Sequence, residues 1–118
     1  MHTPSWQTVK PPPVQHVLRK HPRHLLSVPV LVFEVSGKGP PLAHGLTLDL
    51  SLGGIASVLC GSIEVGQTFQ LELYLPNGRF RTLAIVRHVS SCRCGFEFLS
   101  PNSVFQAGLT DCIHTLAQ

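Results

Sequence analysis

The clearest alternation of apolar and polar residues in the chain runs from Phe69 to Leu75 and predicts a β-strand with one buried face. Phe69, Leu71, Leu73 and Leu75 occupy every second position, and side chains two residues apart in an extended strand project from the same face. A Pro-Asn-Gly turn signal follows, so the next strand is expected over Arg79–Val89. The pattern therefore predicts an antiparallel hairpin.

Shorter patterns predict four more strands. The apolar run Leu25–Val35 is the first, and Pro29 within it marks an edge or a bulge because proline cannot donate a hydrogen bond to a sheet. Gly54–Leu59 and Cys92–Leu99 are two others. The fourth lies over residues 46–51, where strict alternation predicts one buried and one exposed face. The expected buried residues are Leu46, Leu48 and Leu50, and the expected exposed residues are Thr47, Asp49 and Ser51.

After Leu99 the spacing of apolar residues becomes helical. Ser100 is expected to cap the helix, with Pro101 at its first position. One apolar stripe follows, formed by Phe105, Leu109, Cys112, Ile113 and Leu116. The elements together predict a mainly β fold, in which six short strands close into an antiparallel barrel with a C-terminal α-helix packed on it. Residues 1–16 contain four prolines and no apolar periodicity, which predicts a flexible tail preceding a domain over residues 17–118.

Composition narrows the class of protein and of ligand. A chain of 118 residues with 43% hydrophobic and 13% charged residues is typical of one packed domain. No apolar run approaches the about 20 residues that span a bilayer, and the start lacks the features of a signal peptide. A cytoplasmic location and no membrane insertion are therefore expected. The net charge of +3 is mild and favours a small anionic ligand over DNA or RNA.

Two polar clusters have complementary chemistry for a guanine nucleotide. The first contains Arg19, Lys20 and Arg23, and the second is Asp49-Leu-Ser51-Leu-Gly-Gly54. A guanidinium can donate two hydrogen bonds to O6 and N7 of guanine or to a phosphate. A carboxylate can accept from N1–H and the amino group on the other edge of the base. Arginine and aspartate together can therefore bind both edges of one guanine.

The spacing Arg19-x-x-x-Arg23 followed by Asp49-x-Ser51-x-x-Gly54 resembles the paired signature of the PilZ domain, a bacterial receptor for the second messenger cyclic di-GMP. The resemblance continues to the Gly-Phe-Glu-Phe sequence at residues 95–98 and covers about Val17 to Leu116. It implies that Arg19 and Arg23 clamp the guanine and the phosphates and that Asp49 accepts from the guanine.

The same resemblance assigns supporting roles to other residues. Ser51 is expected to bond a phosphate or a base, Gly54 to leave room for the ligand, and Lys20 to contact a phosphate. An arginine on a later strand adds a contact in some family members. Arg93 is favoured for this role because it should face outward if Phe96 and Phe98 face the core, whereas the pattern leaves the orientation of Arg87 open.

Three functions are weighed. The leading one is a stand-alone cyclic di-GMP receptor that signals through a separate, unidentified protein. The second is a PilZ-like adaptor that binds a protein partner without nucleotide, and the third is a small barrel that binds single-stranded nucleic acid. The third needs aromatic stacking platforms, and the chain has one Trp and one Tyr. No sequence motif indicates an enzyme or a cofactor.

A metal site is the least favoured reading of the cysteines. His88, Cys92 and Cys94 are close in sequence, and the alternation places the two cysteines on one strand face. No fourth ligand lies at a suitable spacing. Free cysteine is usually a small buried hydrophobic residue, and all four cysteines are expected to stay reduced in a cytoplasmic chain.

Overall fold

The computed structural model describes residues 21–116, which form seven β-strands and one α-helix. The strands are β1 (His24–Leu25), β2 (Pro29–Phe33), β3 (Ala43–Leu50), β4 (Gly54–Cys60), β5 (Thr68–Leu75), β6 (Gly78–Ser90) and β7 (Arg93–Leu99). The helix, α1, spans Ser103–Leu116. The predicted tail over residues 1–16, Arg19 and Lys20 lie outside the described residues.

Six of the strands close into an antiparallel barrel. Their order around the barrel is β3, β2, β5, β6, β7 and β4, and pairing of β3 with β4 closes the circle. The two-residue strand β1 adds to β3 beyond the end of β2. The fold is therefore the predicted mainly β barrel with a C-terminal helix. Within residues 21–116 the protein has no helix that is long and apolar enough to cross a membrane.

The core confirms the strongest sequence pattern. The alternate residues of β5, from Phe69 to Leu75, are all buried and pack with the inward residues of the other strands. Helix α1 closes over the barrel through Phe105, whose ring meets Phe98 edge-on at a centroid distance of 5.0 Å. Gly108 faces the Phe80 ring, and a β-carbon there would lie 2.3 Å from it. The predicted helical stripe is buried as far as Cys112, whereas Leu116 is exposed.

Three local predictions were wrong, and the first concerns strand β3. Leu46 is exposed, while Thr47 is buried. The cause is a bulge between Thr47 and Asp49, where the pairing with β4 shifts by one residue. An inserted residue changes which face the following side chains occupy. Asp49 is thereby kept on the outer face, with 20% of its side chain exposed.

The other two corrections concern element boundaries. The run Leu25–Val35 is not one strand, because the chain leaves the sheet after β1 and re-enters at Pro29, the first residue of β2. The helix is not capped by Ser100, which has a left-handed φ of 44°. Asn102 is the cap instead, and its Oδ1 accepts the N–H of Phe105 at 2.8 Å.

Arg81, on the side of the barrel formed by β5 and β6, has structural partners. Arg81 donates to Glu72 at 3.1 Å and to the Gly37 carbonyl at 2.9 Å, and it lies over the Phe33 ring. Partial burial raises the pKa of Glu72, but hydrogen bonds from Arg81 and Tyr74 outweigh it and leave that pKa below its ordinary value. Arg81 therefore holds the loop between β2 and β3.

The four cysteines should differ sharply in reactivity. All are free thiols; Cys60 and Cys92 are exposed, and Cys94 and Cys112 are buried. Burial raises the pKa of the Cys94 thiol, with a further contribution from Cys92, and burial alone raises that of Cys112. Because the thiolate is the reactive form, iodoacetamide should label Cys60 and Cys92 in the native protein and all four residues after denaturation. Rapid native labelling of Cys94 or Cys112, located by peptide mass spectrometry, would contradict this packing.

Candidate functional site

A row of four residues crosses the outer face of the barrel from β3 to β6. Asp49, Ala56, Gly95 and His88 are successive pairing partners on β3, β4, β7 and β6. Three strand spacings of about 4.8 Å separate the two ends, or about 14 Å along the sheet. Only Ala56 and Gly95 lie between, so the row has polar ends and a low, flat middle.

Gly95 and His88, at one end of this row, line an open cleft of about 730 Å³. The titratable side chains that line the cleft are His21, Arg23, Arg87, His88 and Glu97. Asp49 is not among the lining residues, but it bonds to Arg23, which is. Two permanent cations and two histidines thus surround a concave surface that is wide enough for a nucleotide. This combination suits an anionic ligand that also presents hydrogen-bonding edges.

Arg23 and Asp49, the two residues expected to bind guanine, are in direct contact. Arg23 donates to Asp49 Oδ1 at 2.7 Å, and 37% of the arginine side chain remains exposed. Strand β1 places them together because Leu25 pairs with Asp49. Thr47 fixes the chain just after β1, since its hydroxyl accepts from Val28 N at 3.0 Å and donates to the Leu26 carbonyl. The structure thus joins the two sequence clusters through Arg23.

Ser51 is placed in the cleft wall but is buried by the turn that it stabilises. Its Oγ accepts the N–H groups of Gly53 at 3.1 Å and Gly54 at 3.2 Å. It also lies 3.3 Å from the Gly54 carbonyl, to which it donates. These bonds fix the turn between β3 and β4. The predicted exposure of Ser51 was wrong because the turn folds over its hydroxyl.

The two glycines of this turn have different roles. A β-carbon at Gly54 would lie 2.0 Å from the carbonyl oxygen of Phe96 on β7, which is too close for any side chain. Gly54 is therefore required by the approach of two strands. A β-carbon at Gly53 would meet the His21 ring at 2.9 Å, so the histidine packs directly over this turn.

A second bulge brings Arg87 and His88 into the cleft. Pairing of β6 with β7 shifts between Val86 and His88. Val86 is buried and Val89 packs against the core, whereas Arg87 and His88 are both exposed. Two consecutive side chains therefore lie on the outer face. The sequence pattern left the orientation of Arg87 open and pointed to His88 only in the disfavoured metal site, because a bulge depends on the partner strand.

Arg93 faces outward as expected, but the structure does not place it in the cleft. It pairs with Val58 on β4, whereas the cleft residue Glu97 pairs with Gly54 at the other end of the same strands. Glu97 is four positions after Arg93 on β7, or about 13 Å along the strand. Arg87 contacts the cleft instead, and its Nε lies 2.7 Å from Glu97 Oε1.

The cysteines do not form a metal site with His88 in the described part of the chain. Cys94 points into the core, and Cys92 is exposed in the turn before β7. The expectation that they share a strand face was therefore wrong. Over residues 21–116 no group of three or more metal-ligating side chains lies together.

Comparisons with known proteins identify the family and the fold. The model of the PilZ domain family matches residues 18–114. Among solved structures, the PilZ domain of YcgR from Escherichia coli with c-di-GMP has a TM-score of 0.68 and 20% identity, covering 85% of this chain and 92% of that one. The PilZ domain of CeSA from a cellulose synthesizing bacterium gives 0.64 and 19%, covering 82% and 99%.

The Bacillus subtilis inhibitor of motility, MotI/DgrA, is similar over part of its length. Its TM-score is 0.68 with 23% identity, and the match covers 83% of this chain and 50% of the inhibitor. The chain thus spans half of that protein. A search of curated proteins by sequence found no match.

Proposed function

We propose that this chain, which belongs to the PilZ domain family, is a receptor for cyclic di-GMP. The observation that carries the proposal is the contact between Arg23 and Asp49 at the edge of the cleft. A fork of donors and a carboxylate acceptor lie at the same place, and a guanine that enters between them can meet one with each of its two edges. The YcgR domain with c-di-GMP has the same fold.

The proposed binding mode uses the row across the barrel. One guanine lies beside Arg23 and Asp49, with Arg19 and Lys20 completing the basic cluster next to it. Ser51 and Gly54 hold the turn that forms the wall of the cleft. Arg87 replaces Arg93 as the candidate contact from a later strand. Its exposed bond to Glu97 contributes little to stability, so a phosphate can take the place of the carboxylate.

PilZ domains are receptor and adaptor domains rather than enzymes, so we propose that the output is contact with another protein. In this proposal the receptor is cytoplasmic and stand-alone, and the downstream partner is a separate protein. The ligand changes the surface that the partner meets, because it must insert between Arg23 and the barrel residues around Asp49. No cofactor takes part.

One ligand should bind per chain. Leu18 directly precedes the first arginine of the cluster, at a position where the family resemblance associates an arginine with binding of a stacked pair of ligands. Leucine offers neither a charge nor a planar group to a second guanine. Isothermal titration calorimetry with cyclic di-GMP should give a stoichiometry near one, and a value near two would contradict this prediction.

The same titration tests the function. Cyclic di-GMP should bind with micromolar or better affinity, and binding should weaken with added salt because the ligand carries two phosphates. A single-stranded oligonucleotide should not compete. The adaptor alternative predicts no binding of either ligand, and the nucleic-acid alternative predicts that the oligonucleotide binds more tightly.

A further inference from the structure

The geometry points to His88 as a further ligand-binding residue, and this inference rests on the proposed function. We propose that the His88 ring donates to an acceptor atom, a phosphate oxygen or guanine O6 or N7, in the half of the dinucleotide that Asp49 does not reach. His88 lies at the opposite end of the row from Asp49 and lines the same cleft as Arg23.

The row matches a ligand with two ends. About 14 Å along the sheet separates Asp49 from His88, and cyclic di-GMP carries one guanine on each side of its ring of two phosphates. A ligand held at Asp49 by one guanine must extend over Ala56 and Gly95 toward β6. The side chains that it meets there are Arg87 and His88.

Gly95 supports the same assignment because the fold does not require a glycine there. A β-carbon at Gly95 would lie 3.4 Å from His88 Cβ, an ordinary contact. Its φ is not among the left-handed values, unlike that of Gly78. Gly54 contrasts with it, since any β-carbon there meets backbone. The absence of a side chain at Gly95 keeps the middle of the row low, which leaves space for a base or a sugar.

The bulge in β6 is what aims His88 at this space. Without the extra residue, strand alternation would place Arg87 and His88 on opposite faces. With it, both are on the outer face beside Gly95. Bulges commonly redirect side chains next to functional sites.

A histidine contact has a signature that an arginine lacks. Histidine takes up a proton near pH 6.5, whereas the phosphodiesters of the ligand stay charged. The other charged or titratable groups around the cleft are His21, Arg23, Arg87, Glu97 and Asp49. Within residues 21–116 the one other histidine at the cleft is His21, so it must be tested beside His88.

The test is calorimetry with cyclic di-GMP at about pH 8 and about pH 6. The full chain should bind about fivefold more tightly at the lower pH for each contacting histidine. In His88→Gln, the difference in the logarithm of Kd between the two pH values should be at most half of that in the unmodified chain. His44→Gln is the matched control, because His44 is also exposed on a barrel strand but lies outside the cleft.

A second variant tests the space beside His88. Gly95→Val should weaken binding more than tenfold while circular dichroism shows the barrel intact. Wild-type affinity and wild-type pH dependence in the His88→Gln variant would overturn the assignment of His88. So would a pH dependence that is lost in His21→Gln but kept in His88→Gln. Absence of cyclic di-GMP binding by the unmodified chain at both pH values would instead overturn the proposed function.

Discussion

The variants Arg23→Ala and Asp49→Ala should each bind cyclic di-GMP about ten- to a hundredfold more weakly. In the structure the two side chains form one unit, since Arg23 donates to Asp49 Oδ1 at 2.7 Å. Arg23→Ala removes donors for the ligand and leaves the Asp49 carboxylate uncompensated beside an incoming dianion. Asp49→Ala removes the acceptor for guanine N1–H and its amino group. Calorimetry on each purified variant measures the loss.

Because the two residues are in contact, their effects should not add. The double variant should bind more tightly than the product of the two single losses implies. Arg79→Ala is the matched control, because this exposed arginine lies near the other end of β6, over the Tyr74 ring, and should leave the affinity unchanged. Wild-type affinity in Arg23→Ala and Asp49→Ala, with circular dichroism showing a folded barrel, would rule out this pair as the ligand contact.

Gly54→Ala should destabilise the barrel by about 3 kcal/mol or more. The new β-carbon would lie 2.0 Å from the Phe96 carbonyl oxygen. Gly54 pairs with Glu97 in the ladder between β4 and β7, so relief requires the two strands to separate. We expect the melting temperature to fall by about 10 °C or more and ligand binding to fall only as far as the folded fraction does.

Gly95→Ala is the control for this variant, since its β-carbon makes only an ordinary contact with His88. It should change stability by about 0.5 kcal/mol or less. A Gly54→Ala protein that melts like wild type and yet fails to bind cyclic di-GMP would show that the glycine makes room for the ligand, as the family resemblance implies. Thermal melts followed by circular dichroism decide between the two roles.

The sequence predicted those parts of the fold that depend on local pattern. The strand over Phe69–Leu75 follows from strict alternation, and the helix after Leu99 from a change of period. The proposed guanine-binding pair followed from chemistry and spacing, and the structure brings Arg23 to Asp49. These features need no knowledge of what lies on a neighbouring strand.

The features that the sequence did not predict depend on pairing between distant strands. The bulge between Thr47 and Asp49 reverses the expected faces of Leu46 and Thr47, and the bulge in β6 brings His88 beside Arg87. A bulge is defined by the partner strand, so alternation within one strand cannot reveal it. The steric role of Gly54 likewise depends on Phe96, on another strand.

The most direct test of the central claim is to map cyclic di-GMP onto the protein by nuclear magnetic resonance. In a titration followed by amide ¹H–¹⁵N spectra, shifts should concentrate on the row across the barrel and its edge, at Arg23, Asp49, Gly53, Gly95 and His88. The amide chemical shifts of Phe69–Leu75 should hardly change, since no residue of β5 lines the cleft. Shifts confined to α1 or to β5, or no shifts at saturating ligand, would contradict the account.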